Sequence, residues 1–171
     1  MYVGDVCYPF VVWPVSLKLS VEQILIERGW NSVENPEDAN LVIINTCSVR
    51  ATAETRIHGR LGWYSALKKS QVKQNKTPIT VVVMGCMAQR LLESLKKQFP
   101  VVDYVVGNFQ KPFFTEIFEA VENGRKVNQL DETPVYSFAS TSYEQGSFSA
   151  FVPIMHGCNN FCTYCIVPYV R

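Results

Sequence analysis

The chain has 171 residues, a formal net charge of +1, 47% hydrophobic residues and 18% charged ones. That length buries one full core, with room for a fragment of a second, and the near-zero charge excludes a global field for nucleic acid, so any RNA contact needs a local patch. No apolar run approaches the roughly 18–20 residues of a membrane span, and the start lacks the charged, apolar and small-residue regions of a signal peptide; the six cysteines therefore read as reduced thiols of a cytoplasmic protein rather than as staples.

Met1 to Val15 is apolar and aromatic, interrupted by Pro9 and Pro14, with no clear period. Ser20-Val21-Glu22-Gln23 reads as a capping box. Val21, Ile24, Leu25 and the stem of Arg28 form a helical face, and Gly29 supplies a left-handed stop. Asn35 to Asp38 makes a turn. Leu41 to Ile44 is a continuous apolar run, the pattern of a strand buried on both faces, and it ends at Asn45-Thr46-Cys47. A long helix is predicted over Arg50 to Lys69, with Ala53, Ile57, Leu61, Tyr64 and Leu67 on one face. Ser70 to Pro78 reads as a polar loop. A second buried strand covers Ile79 to Met84 and ends at Gly85-Cys86. A helix from Ala88 to Phe99, a strand Tyr104 to Val106 ending at Gly107-Asn108, and a helix from Pro112 to Gly124 complete the unit. Asp131 to Ser149, rich in Ser, Thr, Pro and Gly, reads as a linker.

Alternating unbroken apolar strands and helices predict an α/β fold: a parallel sheet with helices on both faces. Ligands of such sheets sit beyond the carboxyl ends of the strands. Cys47 and Cys86 take that position on two successive strands. Two meanings stay open on these grounds: a shared metal or cluster, or two unrelated buried thiols.

The densest chemistry follows the apolar run Phe151 to Met155. His156-Gly157-Cys158-Asn159-Asn160-Phe161-Cys162-Thr163-Tyr164-Cys165 sets three thiols on one short loop. Thiolates are the protein ligands of iron–sulfur clusters, and a four-iron cluster fully held by protein takes four. Three thiols leave one iron open, and an open metal position is where a substrate or cofactor binds. A zinc knuckle is the alternative, but zinc patterns show paired Cys-x2-Cys units or spaced histidines, and His156 is the only histidine near. Reduced thiols in a loop are the bland reading.

Gly157 to Arg171 resembles the cluster loop of radical S-adenosylmethionine enzymes, and more narrowly that of the methylthiotransferases. Asn45-Thr46-Cys47-Ser48-Val49-Arg50, with Ala53-Glu54, Arg56 and Arg60-Leu61-Gly62, is similar to the second-cysteine motif of the tRNA methylthiotransferases. Gly85-Cys86-Met87-Ala88-Gln89-Arg90 resembles their third. The likeness runs from about Ser20 to Arg171 and is nearest to the branch acting on isopentenyl-adenosine beside the anticodon.

The resemblance implies two [4Fe-4S] clusters. One, on Cys158, Cys162 and Cys165, would bind S-adenosylmethionine, whose cleavage yields the radical that takes hydrogen from adenine C2. The other, on Cys47, Cys86 and the first cysteine of the N-terminal region, Cys7 here, would supply sulfur for the methylthio group. The implied partners are tRNA and an electron donor protein; no membrane is implied, and the protein is expected as a monomer in the cytoplasm. The family's first cysteine is typically followed by Gln-Met-Asn, whereas Cys7 is followed by Tyr8-Pro9-Phe10. Counting back from the first helix places that cysteine nearer Val11 than Cys7.

The expected organisation is an α/β methylthiotransferase domain over 1–135, a linker over 136–149, and, over 150–171, the first strand and cluster loop of an incomplete (β/α) radical barrel. A chain closing directly after its cluster loop reads as truncated and, alone, inactive. Rival readings are a methylthiotransferase for a protein side chain or another tRNA adenosine, and a non-catalytic iron–sulfur or zinc protein. Arg50, Arg56, Arg60, Lys68 and Lys69 read as a solvated face before an RNA contact, His58 as a surface or packing residue, and Phe161 and Tyr164 as shields of the cluster.

Overall fold

In the computed structural model the described residues are 5–7, 21, 25–33, 35–46, 48, 51–108, 114–123, 148 and 157–170. Five strands form one sheet: β1 (Asp5–Cys7), β2 (Asn31–Val33), β3 (Leu41–Thr46), β4 (Thr80–Gly85) and β5 (Tyr104–Val106). Their spatial order is β2-β1-β3-β4-β5 and every neighbouring pair is parallel. The helices are α1 (Ala51–Lys73), α2 (Cys86–Gln98), α3 (Phe114–Glu122) and the short α4 (Val167–Val170). The predicted α/β class and parallel sheet are met.

Successive side chains of a strand point to opposite faces, and here each face has its own core. Val42, Ile44, Val81, Val83 and Val105 pack with Ile57, Leu61 and Tyr64 of α1 and Met87, Ala88 and Leu95 of α2. Leu41, Ile43, Val82, Met84, Tyr104 and Val106 pack with Val21, Leu25, Trp30, and Phe114, Ile117 and Phe118 of α3. A strand covered on both sides has no polar alternation, which is why β3 and β4 read as unbroken apolar runs. The predicted face of α1 is the buried one, with Leu61 and Tyr64 fully buried and Leu67 partly so.

Helix ends follow from local chemistry. Gly29 (φ 83°) closes the helical residues 25–27: its N–H donates to Ile26 O and that of Trp30 to Leu25 O, both at 2.9 Å, the paired bonds of a left-handed stop. Asn75 (φ 54°) does the same for α1, with Asn75 N–H on Val72 O and Lys76 N–H on Gln71 O. The helix thus runs four residues past the predicted end at Lys69. The expected loop is shorter because Gln71 is buried and its Oε1 accepts the Ile79 N–H at 2.8 Å just before β4. Two further differences are β2, a short strand with a polar start at the sheet edge, and α2, which begins at Cys86 rather than Ala88. The capping box at Ser20, the linker apart from Phe148, and the run Phe151 to Met155 lie outside the described residues.

Two ion pairs tie separate segments of the fold together. Lys68 Nζ donates to both Asp103 oxygens (2.8 and 2.6 Å), while Asp103 Oδ2 also accepts the Val81 N–H. Arg28 makes a two-point contact with Glu122 (Nε–Oε1 3.1 Å, Nη2–Oε2 2.9 Å), and Trp30 Nε1 donates to the same Oε1 at 2.9 Å. Hydrogen bonding from Arg28, with a further contribution from Trp30, outweighs partial burial and holds the Glu122 carboxyl below its ordinary range. A carboxyl depressed in the folded state stabilises the fold above the ordinary carboxylate range, and that share is lost as pH falls through the folded value. Glu122→Gln is expected to cost about 1 kcal/mol at pH 7, the upper end for an exposed pair. In urea denaturation the gap between the variant and the parent chain should close at acid pH; a gap independent of pH would refute the assignment.

Candidate functional site

The site is built where β3 and β4 end. Thr46 is registered against Gly85, so the two strands stop at the same height. Gly85 (φ 96°, ψ −162°) occupies backbone space open essentially to glycine alone. A Cβ there would fall on the carbonyl oxygen of Thr46 and the side-chain oxygen of Asn45. Glycine at this point lets the two strand ends touch before the chain turns into α2.

Gly85 is also the N-cap of α2 and has no side chain to satisfy the first turn. The neighbouring strand supplies the missing acceptor. The Ala88 N–H donates to Thr46 Oγ1 at 3.3 Å, and the Thr46 hydroxyl donates to Met84 O at 2.5 Å. Thr46 is buried at 4% exposure, so both bonds lie away from water.

The remaining residues of the Gly85–Arg90 stretch each have a partner. Cys86 opens α2 as a free, buried thiol. Met87 and Ala88 enter the core. Gln89 Oε1 accepts the backbone N–H of Asn108 at 2.8 Å. Arg90 pairs with Glu54 at 2.7 Å, joining this stretch to the start of α1 and so to the residues following Cys47 in sequence. Cys47 itself lies outside the described residues, as does Arg50.

Asn108, two residues past β5, completes the edge. It is 5% exposed; its Nδ2 lies 3.8 Å from Cys86 Sγ and donates to the carbonyl oxygen of Val170, the last residue of α4. Val170 is buried against this edge at 1% exposure, and α4 packs on α2. The loop bearing Cys158, Cys162 and Cys165 is therefore anchored, at its far end, to the edge that holds Cys86.

That loop has no regular structure from Gly157 to Cys165 apart from a turn in which the Cys165 N–H donates to Cys162 O at 2.9 Å. Gly157 (φ 79°) and Phe161 (φ 46°) are left-handed. Cys162 is exposed and Cys158 and Cys165 are half-buried, all three free. Phe161 and Tyr164, the residues expected to shield a cluster, are exposed at 58% and 91%, and the Phe161 and Tyr169 rings meet edge-on with centroids 6.0 Å apart.

The donor set fits an iron–sulfur cluster in kind. The thiols are free, and Cys86 has beside it an amide N–H donor, the type of outer partner that orients a metal-bound side chain. Among the described residues, however, no three His, Cys, Asp or Glu side chains are gathered closely enough to hold a metal ion.

Cys7 stands elsewhere. It is the last residue of β1 and is registered against Val42, four positions before Thr46. At about 3.3 Å of rise per residue its backbone lies roughly 13 Å short of the edge where Cys86 begins α2.

The basic residues divide. Lys68 is committed to Asp103, while Arg56 and Lys69 are exposed and Arg60 lies over the Trp63 ring at 6.0 Å. His58 is exposed and packs against Phe99 with ring centroids 4.9 Å apart. No described helix is long and apolar enough to cross a membrane.

Comparison with known proteins gives this edge a family. A sequence model described as "Uncharacterized protein family UPF0004" matches residues 18–107, more than half the chain and all of β2 to β5. The chain belongs to the UPF0004 family. Among curated relatives, the tRNA-2-methylthio-N(6)-dimethylallyladenosine synthase of Treponema pallidum (strain Nichols) is 48% identical over 170 residues, covering 92% of this chain and 36% of the relative. The protein of that name from Treponema denticola is 48% identical, covering 89% and 35%. That from Dictyoglomus thermophilum is 39% identical, covering 88% and 34%. The chain spans about a third of the length of these relatives. The resemblance to tRNA methylthiotransferases read from the motifs is borne out.

Thr46, Gln89 and Asn108 were not singled out in the sequence. The usable signal was positional: Gly107-Asn108 follows a third strand at the edge that Cys47 and Cys86 follow on the other two. Replacement of Gly85 tests the edge. Gly85→Ala is expected to destabilise the UPF0004 domain by about 2 kcal/mol or more, from left-handed strain plus collision with Thr46. Denaturant midpoints measure it, and an unchanged midpoint would show that the strand ends do not touch.

Proposed function

We propose that this UPF0004 chain is the cluster-bearing part of a tRNA methylthiotransferase that adds a methylthio group to C2 of isopentenyl-adenosine adjacent to the anticodon. The observation that carries the reading is convergence. The stretch ending at Thr46 and the stretch beginning at Gly85 meet at one sheet edge, and the segment after the three-cysteine loop is bound to that same edge through Asn108. Identity of 48% to relatives named for this activity supports the substrate.

In this reading Cys158, Cys162 and Cys165 hold the cluster that binds S-adenosylmethionine, and Cys47 and Cys86 hold the second. When bound, the two clusters and S-adenosylmethionine supply the electron, radical and sulfur chemistry. The chain's own residues supply ligation, orientation and exclusion of water. Gly85 and Thr46 fix the height at which Cys86 is presented. Gln89 and Asn108 hold the neighbouring strand end against it. The exposed rings of Phe161, Tyr164 and Tyr169 are left on the outer side of the loop, free to meet the rest of the protein or the RNA. Residues 1–135 form the α/β domain, 136–149 the linker and 150–171 the opening of the radical domain. An electron donor protein reduces the loop cluster, and the enzyme works as a cytoplasmic monomer.

Cys7 is left out of the second cluster, and its register supports this. Two thiolates on one cluster lie a few metal–sulfur bonds apart, each about 2.3 Å, whereas Cys7 is set roughly 13 Å below the edge and two strands away from β4. After anaerobic reconstitution with iron and sulfide, Cys7→Ala should keep the iron content of the unmutated chain; a loss of about four irons would make Cys7 a ligand.

The function itself is tested on tRNA from cells lacking the gene. Mass analysis of nucleosides should show isopentenyl-adenosine without its methylthio group, restored by the gene and not by a gene carrying Cys158→Ala. Methylthio-isopentenyl-adenosine at its normal level would overturn the proposal.

A further inference from the structure

The hydrogen bonds of the Asn108 side chain join Cys86 to the segment that carries Cys158, Cys162 and Cys165. The amide group has two N–H bonds. One is spent on Val170 O, and Cys86 Sγ lies at 3.8 Å from the same nitrogen, within reach of the other. The residue is buried, and its backbone is held separately by Gln89 at 2.8 Å, so the side chain is aimed by the fold rather than by solvent. A buried amide that merely filled space would be replaceable by leucine; a buried amide with both donors committed is there for its direction.

We infer that Asn108 is a positioning residue: its amide orients the Cys86 sulfur for metal binding and clamps the end of the three-cysteine segment to the same edge. The inference rests on the reading of Cys86 as a cluster ligand. An N–H donor near a ligating sulfur spreads the sulfur's negative charge and so favours the reduced, more negative cluster; hydrogen bonds to the sulfurs are among the levers that set cluster potentials. Removing the donor should therefore lower the potential without removing a ligand. The same change should release Val170, whose carbonyl oxygen the Asn108 amide holds.

The test uses the full chain with Cys158→Ala, Cys162→Ala and Cys165→Ala, so that iron reports on the Cys86 site alone. Reconstituted anaerobically, it should bind iron that Cys86→Ala abolishes. Asn108→Leu and the isosteric Asn108→Asp, checked for folding by circular dichroism, should keep the fold and either lower the midpoint potential of the bound cluster or lose it. In the chain with its loop cysteines intact, Asn108→Leu should also raise amide hydrogen exchange over residues 166–170. If Asn108→Leu fails to fold, Asn108→Asp decides both readings. An unchanged potential in a folded variant overturns the orientation of Cys86, and unchanged exchange overturns the clamp; the proposed function survives either result. Iron binding that ignores Cys86→Ala, or no iron at all, overturns the reading of Cys86 as a ligand and this inference with it.

Discussion

The register of β3 against β4 is the constraint on which the site depends. Both strands are covered on both faces, so a slip of one residue would turn either Val42 and Ile44 or Val81 and Val83 from one core into the other. The two cores differ: one is built on the flat face of a long helix, the other on Trp30 and the stacked rings of Phe114 and Phe118. Side chains fitted to one do not fit the other, and overpacked or emptied cores cost kilocalories. The register so enforced brings Thr46 level with Gly85. The chemistry at the edge is thus held in place by apolar packing below it.

At that level the requirements become local and exacting. A parallel pair that stops at one height leaves two strand ends and a helix start in the same space. Any Cβ at residue 85 would collide with β3, and any other residue would resist the backbone angles found there. The glycine that solves this leaves the helix without a cap of its own. The hydroxyl of Thr46 fills the vacancy, accepting from Ala88 while donating to Met84. Threonine serves here because it is β-branched, as a central strand favours, and still carries one donor and two acceptor lone pairs.

Much of this architecture was legible in the sequence, and the exceptions have physical causes. Unbroken apolar runs identified β3, β4 and β5 because burial on both faces removes every polar position. The edge strand β2 escaped because Asn31 and Ser32 open it, and edge positions do not demand apolar residues. The end of α1 was misjudged because Ser70 and Gln71 are polar, yet Gln71 is buried and spends its amide oxygen on Ile79. Composition reports the polarity of a side chain; it does not report a partner eight residues away. Cys86 was legible as a strand-end thiol. Thr46, Gln89 and Asn108 were not, because each acts through residues between 19 and 62 positions distant.

The described polar side chains that join this edge are neutral, the Thr46 hydroxyl and the Gln89 and Asn108 amides among them, with the charged pair of Arg90 and Glu54 kept to the rim. Neutral donors would suit the proposed cluster site, where thiols lose protons on binding metal. A buried cation beside Cys86 would stabilise the bare thiolate and compete with the metal for it, while a buried carboxylate would repel it. An amide does neither strongly; it gives direction and a partial positive charge at little desolvation cost once its bonds are made. The same property lets Asn108 hold a backbone carbonyl of α4 with the nitrogen that lies beside Cys86. Two cysteine sites far apart in sequence are in this way joined through one side chain, and the sheet register decides where it stands.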